Sequence, residues 1–253
     1  MTIATFHDLK DASVIITGGG SGIGAKLSAG FAEQGAKVAI IDRIDASGLA
    51  AEIGATTAHI PIALQCDVTD TAAFQKAIHD AAAVHGGLDV LVNNAANDMR
   101  MDAMTLTADD WDAMQDVNLK PYFFGCQAAA KVMGEKGAII NFSSTSYMIG
   151  GAGMAPYVAA NAGIMGLTRS LAREWGPNGI RVNAIAPGWA LTEKQLKKWA
   201  TPESLAAFLD RQCIKVHMQP QDVVAPVLFL ASDASAMMTS QTMVVDAGVS
   251  MTG

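Results

Sequence analysis

Short runs of Val, Ile and Ala recur along this chain, at Ser13–Thr17, Lys37–Ile41, Ile60–Gln65, Asp89–Val92, Ala138–Phe142, Arg181–Ile185 and Thr242–Val245. Each is too short for a stable helix and apolar enough to be a strand buried on both faces. Between the first six lie longer Ala-rich segments with helical spacing, among them Ile23–Gln34, Thr71–His85, Ala108–Met133 and Tyr157–Trp175. Parallel strands cannot be joined by a hairpin; they need a crossover of about a dozen residues or more, usually a helix. The alternation therefore specifies an α/β fold, a doubly wound parallel seven-stranded sheet in one domain over residues 1–253. Gly35, Gly54, Gly86–Gly87, Gly137 and Gly176–Gly179 follow helical segments, where a left-handed residue closes a helix. Pro121 removes an amide donor inside Ala108–Met133, so a kink or a fresh helix start is expected there. The stretch 189–216 reads as an insertion beyond the sixth strand's carboxyl end, the edge at which open α/β sheets bind ligands, and is expected to cover the substrate.

The first strand runs straight into Thr17-Gly18-Gly19-Gly20-Ser21-Gly22-Ile23-Gly24 and then into an apolar helix. Glycines in that context let the backbone turn sharply and approach a pyrophosphate, whose charge the helix amino end stabilises. This makes the plan Rossmann-like, with Gly18, Ser21, Gly22, Ile23 and Gly24 as cofactor contacts. Asp42 closes the second strand, 24 residues after Gly18. A carboxylate there accepts both ribose hydroxyls of NAD and repels the extra phosphate of NADP, so NAD is expected. Arg43 is the opposing element, since a guanidinium pairs with phosphate.

Composition narrows the partners. Apolar residues make up 51% and charged residues only 16%, which favours burial of surface in an oligomer. A formal charge of −7 gives no basic footprint for nucleic acid or anionic lipid. The Met1–Lys10 stretch lacks the basic and apolar regions of a signal peptide, and no apolar run approaches the ~20 residues that cross a bilayer, so a cytoplasmic protein is expected. Cys66, Cys126 and Cys213 are odd in number and widely spaced, which fits buried or contact thiols and gives neither a disulfide framework nor metal spacing. His7, His59, His79, His85 and His217 show no ligand or triad spacing; His217, just past the insertion, is the one placed near a substrate region. Met99, Met101, Met104, Met148 and Met154 flank the same side and suit a core or an adaptable pocket wall.

The glycine loop, Asp67-Val68, Asn93-Asn94-Ala95-Ala96, Asn118, Ser143-Ser144, Tyr157 and Pro187-Gly188, in that order over nearly the whole chain, resemble the signature of the short-chain dehydrogenase/reductase family. The resemblance implies a hydride and proton transfer at an alcohol carbon. It implies that Asp67 and Val68 hold the adenine, that Asn94 and Ala95 line the cofactor, and that Pro187, Gly188 and Thr192 contact the nicotinamide carboxamide. It implies further that Tyr157 is the general base, that Ser144 binds the substrate oxygen, and that Asn118 holds a water chain. Ser144 precedes Tyr157 by 13 residues, the family spacing, which selects it over Ser143. Taken singly, these residues also suit structural roles: an amphipathic core tyrosine, a turn serine, a helix-interior amide.

At Asn161, one helical turn after Tyr157, the pattern departs from the family, which has lysine there. An amide still donates to a ribose hydroxyl, but supplies no charge to favour the phenolate. Asn97, Asp98, Trp189 and the segment from Thr192 to Glu203 resemble bacterial aldose 1-dehydrogenases of the family, implying a sugar or polyol substrate held by polar groups against an aromatic wall. The expectation is an NAD-dependent sugar or polyol dehydrogenase acting as a homotetramer, slowed or not by Asn161. A catalytically silent NAD-binding protein and a dehydrogenase of hydroxyacids or steroids are the other two readings.

Overall fold

In a computed structural model describing residues 4–250, the Val- and Ile-rich runs form β1 (Ser13–Thr17), β2 (Lys37–Asp42), β3 (Ile62–Gln65), β4 (Val90–Asn93), β5 (Gly137–Phe142), β6 (Ile180–Pro187) and β7 (Thr242–Val245). Residues 1–3 of the stretch read for a leader lie outside those described. The strands make one sheet in the order β3-β2-β1-β4-β5-β6-β7, parallel at every pairing. The helices are α1 (Gly22–Glu33), α2 (Ser47–Gly54), α3 (Thr71–His85), α4 (Ala108–Asn118), α5 (Lys120–Val132), α6 (Ser146–Ile149), α7 (Ala155–Trp175), α8 (Glu193–Lys198), α9 (Pro202–Arg211) and α10 (Val224–Ala231).

Successive strand residues point to opposite faces, so each central strand feeds two cores. Val14, Ile16, Val38, Ile40, Val92 and Ile140 meet Leu27 and Phe31 of α1 and Val227 and Leu228 of α10 on one face. Ile15, Ile41, Leu91 and Ile139 meet Phe74 and Ile78 of α3, Cys126 of α5 and Leu171 of α7 on the other. Each fully buried large side chain among these contributes about 1.5–3 kcal/mol of hydrophobic stabilisation. Burial pushes the Cys126 thiol up to about 12, which leaves it an inert core group.

Three expectations are corrected and one is borne out. The outermost strands, β3 and β7, are only half-buried, because an edge strand lacks a neighbour on one side. Of the two outcomes expected at Pro121, the fresh helix start is the one observed: Ala108–Met133 is two helices, broken at Leu119 (φ −127°, ψ −50°), with Pro121 in the first turn of α5, where the missing amide costs nothing. Among the punctuating glycines, Gly35, Gly86, Gly87 and Gly179 have positive φ, whereas Gly176 closes α7 with right-handed φ −52°. Gly54 and Gly137 lack left-handed geometry and serve close approach instead, since a Cβ would lie 2.7 Å from Ile60 Cγ1 and 2.5 Å from Met133 Sδ respectively.

Two features of this plan position a ligand. The chain crosses over in opposite directions from the β1–β4 pair, so the loops following those strands diverge and leave a crevice at their carboxyl ends. Residues 189–216 fold as α8 and α9 above that same end, and the Leu191 amide returns to the Met218 carbonyl at 2.9 Å.

Candidate active site

The crevice is a cleft of about 1450 Å³ lined along its length by the loops after β1, β2, β3, β4, β5 and β6. At one end lies the glycine loop. Gly18 and Gly22 adopt positive φ of 64° and 54°, which brings the backbone round into α1 with its first amides facing the cleft. A Cβ on Gly24 would lie 1.9 Å from the Gly18 carbonyl oxygen, so the turn closes only without one. Asn94 holds this turn from the neighbouring strand: its Nδ2 donates to the Thr17 and Gly18 carbonyls at 3.0 and 3.2 Å. In return the Thr17 hydroxyl accepts from the Asn94 and Ala95 amides. A bare, inward-facing backbone at a twelve-residue helix N-terminus fits a dinucleotide pyrophosphate.

Asp42 stands beside the loop, its carboxylate accepting from the Gly20 amide at 2.9 Å and the Ile44 amide at 3.2 Å. Asp67 accepts from the Thr69 amide and hydroxyl, and those bonds hold it below the usual carboxylate range. Arg43, Asp67 and Val68 line the cleft next to Asp42. Pro187, Gly188 and Thr192 line it from above; Thr192 caps α8 and lies against the glycine loop, 3.2 Å from where a Gly22 Cβ would stand.

At mid-cleft β5 delivers Ser143 and Ser144, and α7 delivers Tyr157 and Asn161. Ser143 is buried and donates to the Asn161 carbonyl at 3.0 Å, whereas Ser144 faces the cleft and accepts from the Ser146 amide at 3.1 Å. The Tyr157 phenol lies near the Ser144 and Asn161 side chains in the cleft lining. Burial pushes this phenol above its ordinary value, the Asp98 carboxylate pushes it further, and the Ser144 and Asn161 contacts only partly oppose them. Asn161 is buried and donates to the Tyr157 carbonyl at 2.8 Å, a bond internal to the helix. Asn118, at the end of α4, binds the backbone of Asn97 in both directions, accepting from its amide at 2.7 Å and donating to its carbonyl at 3.0 Å. Its side chain thereby fixes the loop after β4.

Beyond Tyr157 the cleft is closed by that loop and the α8–α9 segment. Burial acts to raise the Asp98 carboxyl, but Lys194 Nζ at 2.5 Å and the Gln195 amide outweigh it and hold it below the carboxylate range. Gln195 Oε1 accepts from Trp189 Nε1 at 2.8 Å, and Trp189 packs edge-on to Phe208 with ring centroids 5.4 Å apart. Trp189, Gln195, Asp98 and Lys194 thus form one hydrogen-bonded bridge across the cleft.

Every residue expected at the site from the sequence either lines this cleft or, like Asn118, buttresses it. Gln195 was missed; its signal was the Thr-x-x-Gln spacing from Thr192, which marks a helix start and says nothing of where the amide reaches. Arg100 and Arg211 were missed as well, lying singly in loop and helix. His217 does not line the cleft, while Met99 and Met154 do. Among the described residues no cluster of potential metal ligands occurs.

A family model described as "Enoyl-(Acyl carrier protein) reductase" matches residues 18–250. Over 248 residues the chain is 46% identical to "Probable galactose dehydrogenase GalD" of Rhizobium meliloti, covering 96% of this chain and 97% of that protein. It is 43% identical over 251 residues to D-xylose 1-dehydrogenase of Caulobacter vibrioides, covering 98% and 99%. The solved structure of a short chain dehydrogenase from Burkholderia cenocepacia in complex with NADP superposes with a TM-score of 0.88 at 33% identity, covering 96% of this chain and 99% of that one.

Proposed function

Since this chain belongs to the short-chain dehydrogenase/reductase family and is an oxidoreductase, we propose that it oxidises a sugar or polyol with NAD. The observation that carries the proposal is the meeting, in one cleft, of the glycine loop with Ser144, Tyr157 and Asn161. The names of the two sugar dehydrogenases similar over their full lengths, and the bridge of polar groups and indole opposite Tyr157, support a polyhydroxylated substrate.

In this reading the α1 amino end and Ser21–Gly24 hold the pyrophosphate, Asp42 the adenosine ribose, and Asp67 and Val68 the adenine. Asn94 and Ala95 line the middle of the cofactor, and Pro187, Gly188 and Thr192 meet the carboxamide. When bound, the nicotinamide supplies the acceptor for the hydride leaving the alcohol carbon. Ser144 binds the substrate hydroxyl and Tyr157 takes its proton. Asn161 steadies the Tyr157 hydroxyl without charge, and Asn118 shapes the loop carrying Asn97 and Asp98, which together with Trp189 hold the sugar. The choice of NAD rests on Asp42, against which a 2′-phosphate would be repelled, and the pull of Arg43 opposes it. The reading includes a cytoplasmic homotetramer, supported by free thiols at Cys66, Cys126 and Cys213 and by the charge-poor composition.

The experiment is NADH absorbance over a panel of aldoses, polyols, hydroxyacids and steroids, with NAD and NADP titrated in parallel. Turnover confined to hydroxyacids or steroids would move the substrate class, and tighter NADP binding would show that Arg43 dominates. A second reading, a silent dinucleotide-binding protein, is favoured by one observation: Tyr157 faces an amide and a carboxylate where it needs a cation. Dinucleotide binding without turnover on any alcohol would decide for it.

A further inference from the structure

The substrate end of the cleft is lined by Arg100, Lys194, Lys197, Lys198 and Arg211 although the chain as a whole carries a charge of −7. Lys194 is paired with Asp98 and Lys197 with Glu193 at 2.6 Å. Arg100, Lys198 and Arg211 line the same cleft with no carboxylate partner among the described residues. They come from separate segments of the chain. Arg100 follows β4 and lies 4.5 Å above the Trp199 ring, Lys198 ends α8, and Arg211 ends α9, 5.9 Å from the Phe208 ring. Stacking on an aromatic face fixes a guanidinium and leaves its N–H fork directed outward, the geometry that takes up a carboxylate or phosphate bidentately.

Resting on the sugar-dehydrogenase reading, we propose that the preferred substrate is an anionic sugar, with its oxidised hydroxyl at Ser144 and Tyr157 and its acid group among Arg100, Lys198 and Arg211. The shared chemistry is a sugar with a terminal anion, whether the carboxylate of a uronic acid or the phosphate of a sugar 6-phosphate. A lid of solvated lysines alone would not account for Arg100, which lies outside the lid and faces it. Three cations focused in a cleft also speed the capture of an anion, an effect that salt screens.

The test compares kcat/KM for D-galacturonate, D-galactose and D-galactose 6-phosphate in the native chain and in a Lys198→Gln/Arg211→Gln variant, whose fold is checked by circular dichroism. The native chain is expected to favour an anionic sugar over galactose by tenfold or more, with a preference that shrinks as salt is raised. The variant is expected to lose at least tenfold of that preference. Whichever anionic sugar is faster identifies the acid group. Galactose turned over as well as or better than both anions would overturn the inference and leave the sugar reading intact. A variant that loses dinucleotide affinity while keeping its preference would assign the cations to the cofactor and likewise overturn it. Failure of every sugar, with a hydroxyacid or steroid oxidised in its place, would remove the reading beneath.

Discussion

A phenol buried beside a carboxylate keeps its proton to a higher pH than a free one, so under the proposed role of Tyr157 as base the oxidation rate should rise with pH well past neutrality. Asn161→Lys places a cation on the same helix face, lowers the Tyr157 value, and should move the rising limb to lower pH. If the shift is ~2 units, the phenolate fraction near neutrality grows by ~100-fold and kcat follows. A kcat–pH profile of the two proteins checks this, and a brisk Asn161 enzyme slowed by lysine would show a compensated mechanism. Asp42→Ala should weaken NAD binding by tenfold or more and raise NADP relative to NAD, because it removes both the ribose acceptor and the repulsion of the 2′-phosphate. Calorimetric titration with each dinucleotide reads the ratio. The variant also frees the Gly20 amide, so its loss of NAD affinity should exceed that of Asp42→Asn, which keeps an acceptor for that amide.

The glycine loop and the α1 amino end work as a unit only if the chain can fold back on itself at Gly18. Gly24→Ala puts a carbon 1.9 Å from the Gly18 oxygen, a contact the backbone must relieve by opening the turn. Overpacking of this kind costs about 1–3 kcal/mol and here also spoils the amide array, so melting should fall and dinucleotide binding should drop steeply. Differential scanning fluorimetry with and without NAD separates the two effects, and an unchanged ligand-induced shift would refute the role of this turn. The Ala108–Met133 segment shows a complementary case at element scale. Pro121 made the break at Leu119 legible in the sequence, whereas the turn of the Asn118 amide at the end of α4 onto the Asn97 backbone depends on packing against a distant loop.

For the whole molecule, the low charged fraction and the long α4, α5 and α7 stretches predict a homotetramer. Multi-angle light scattering should give about four times the 26.3 kDa chain mass, and a monomer at micromolar concentration would reject it. The strand positions, the glycine loop and the placement of Ser144, Tyr157 and Asn161 were all legible in the chain, because each depends on short-range periodicity or on spacing within one or two elements; the strand order came from the tertiary structure. The half-exposed edges β3 and β7 and the packing glycines Gly54 and Gly137 were not, since they depend on which neighbour is missing or close. The Asp98–Lys194–Gln195–Trp189 bridge joins residues nearly a hundred positions apart. Composition told that the substrate region is polar and aromatic; only the docking of α8 and α9 over the loop after β4 decided that Arg100 and Arg211 share a cleft, because convergence of distant segments is set by packing and leaves no periodic trace in sequence.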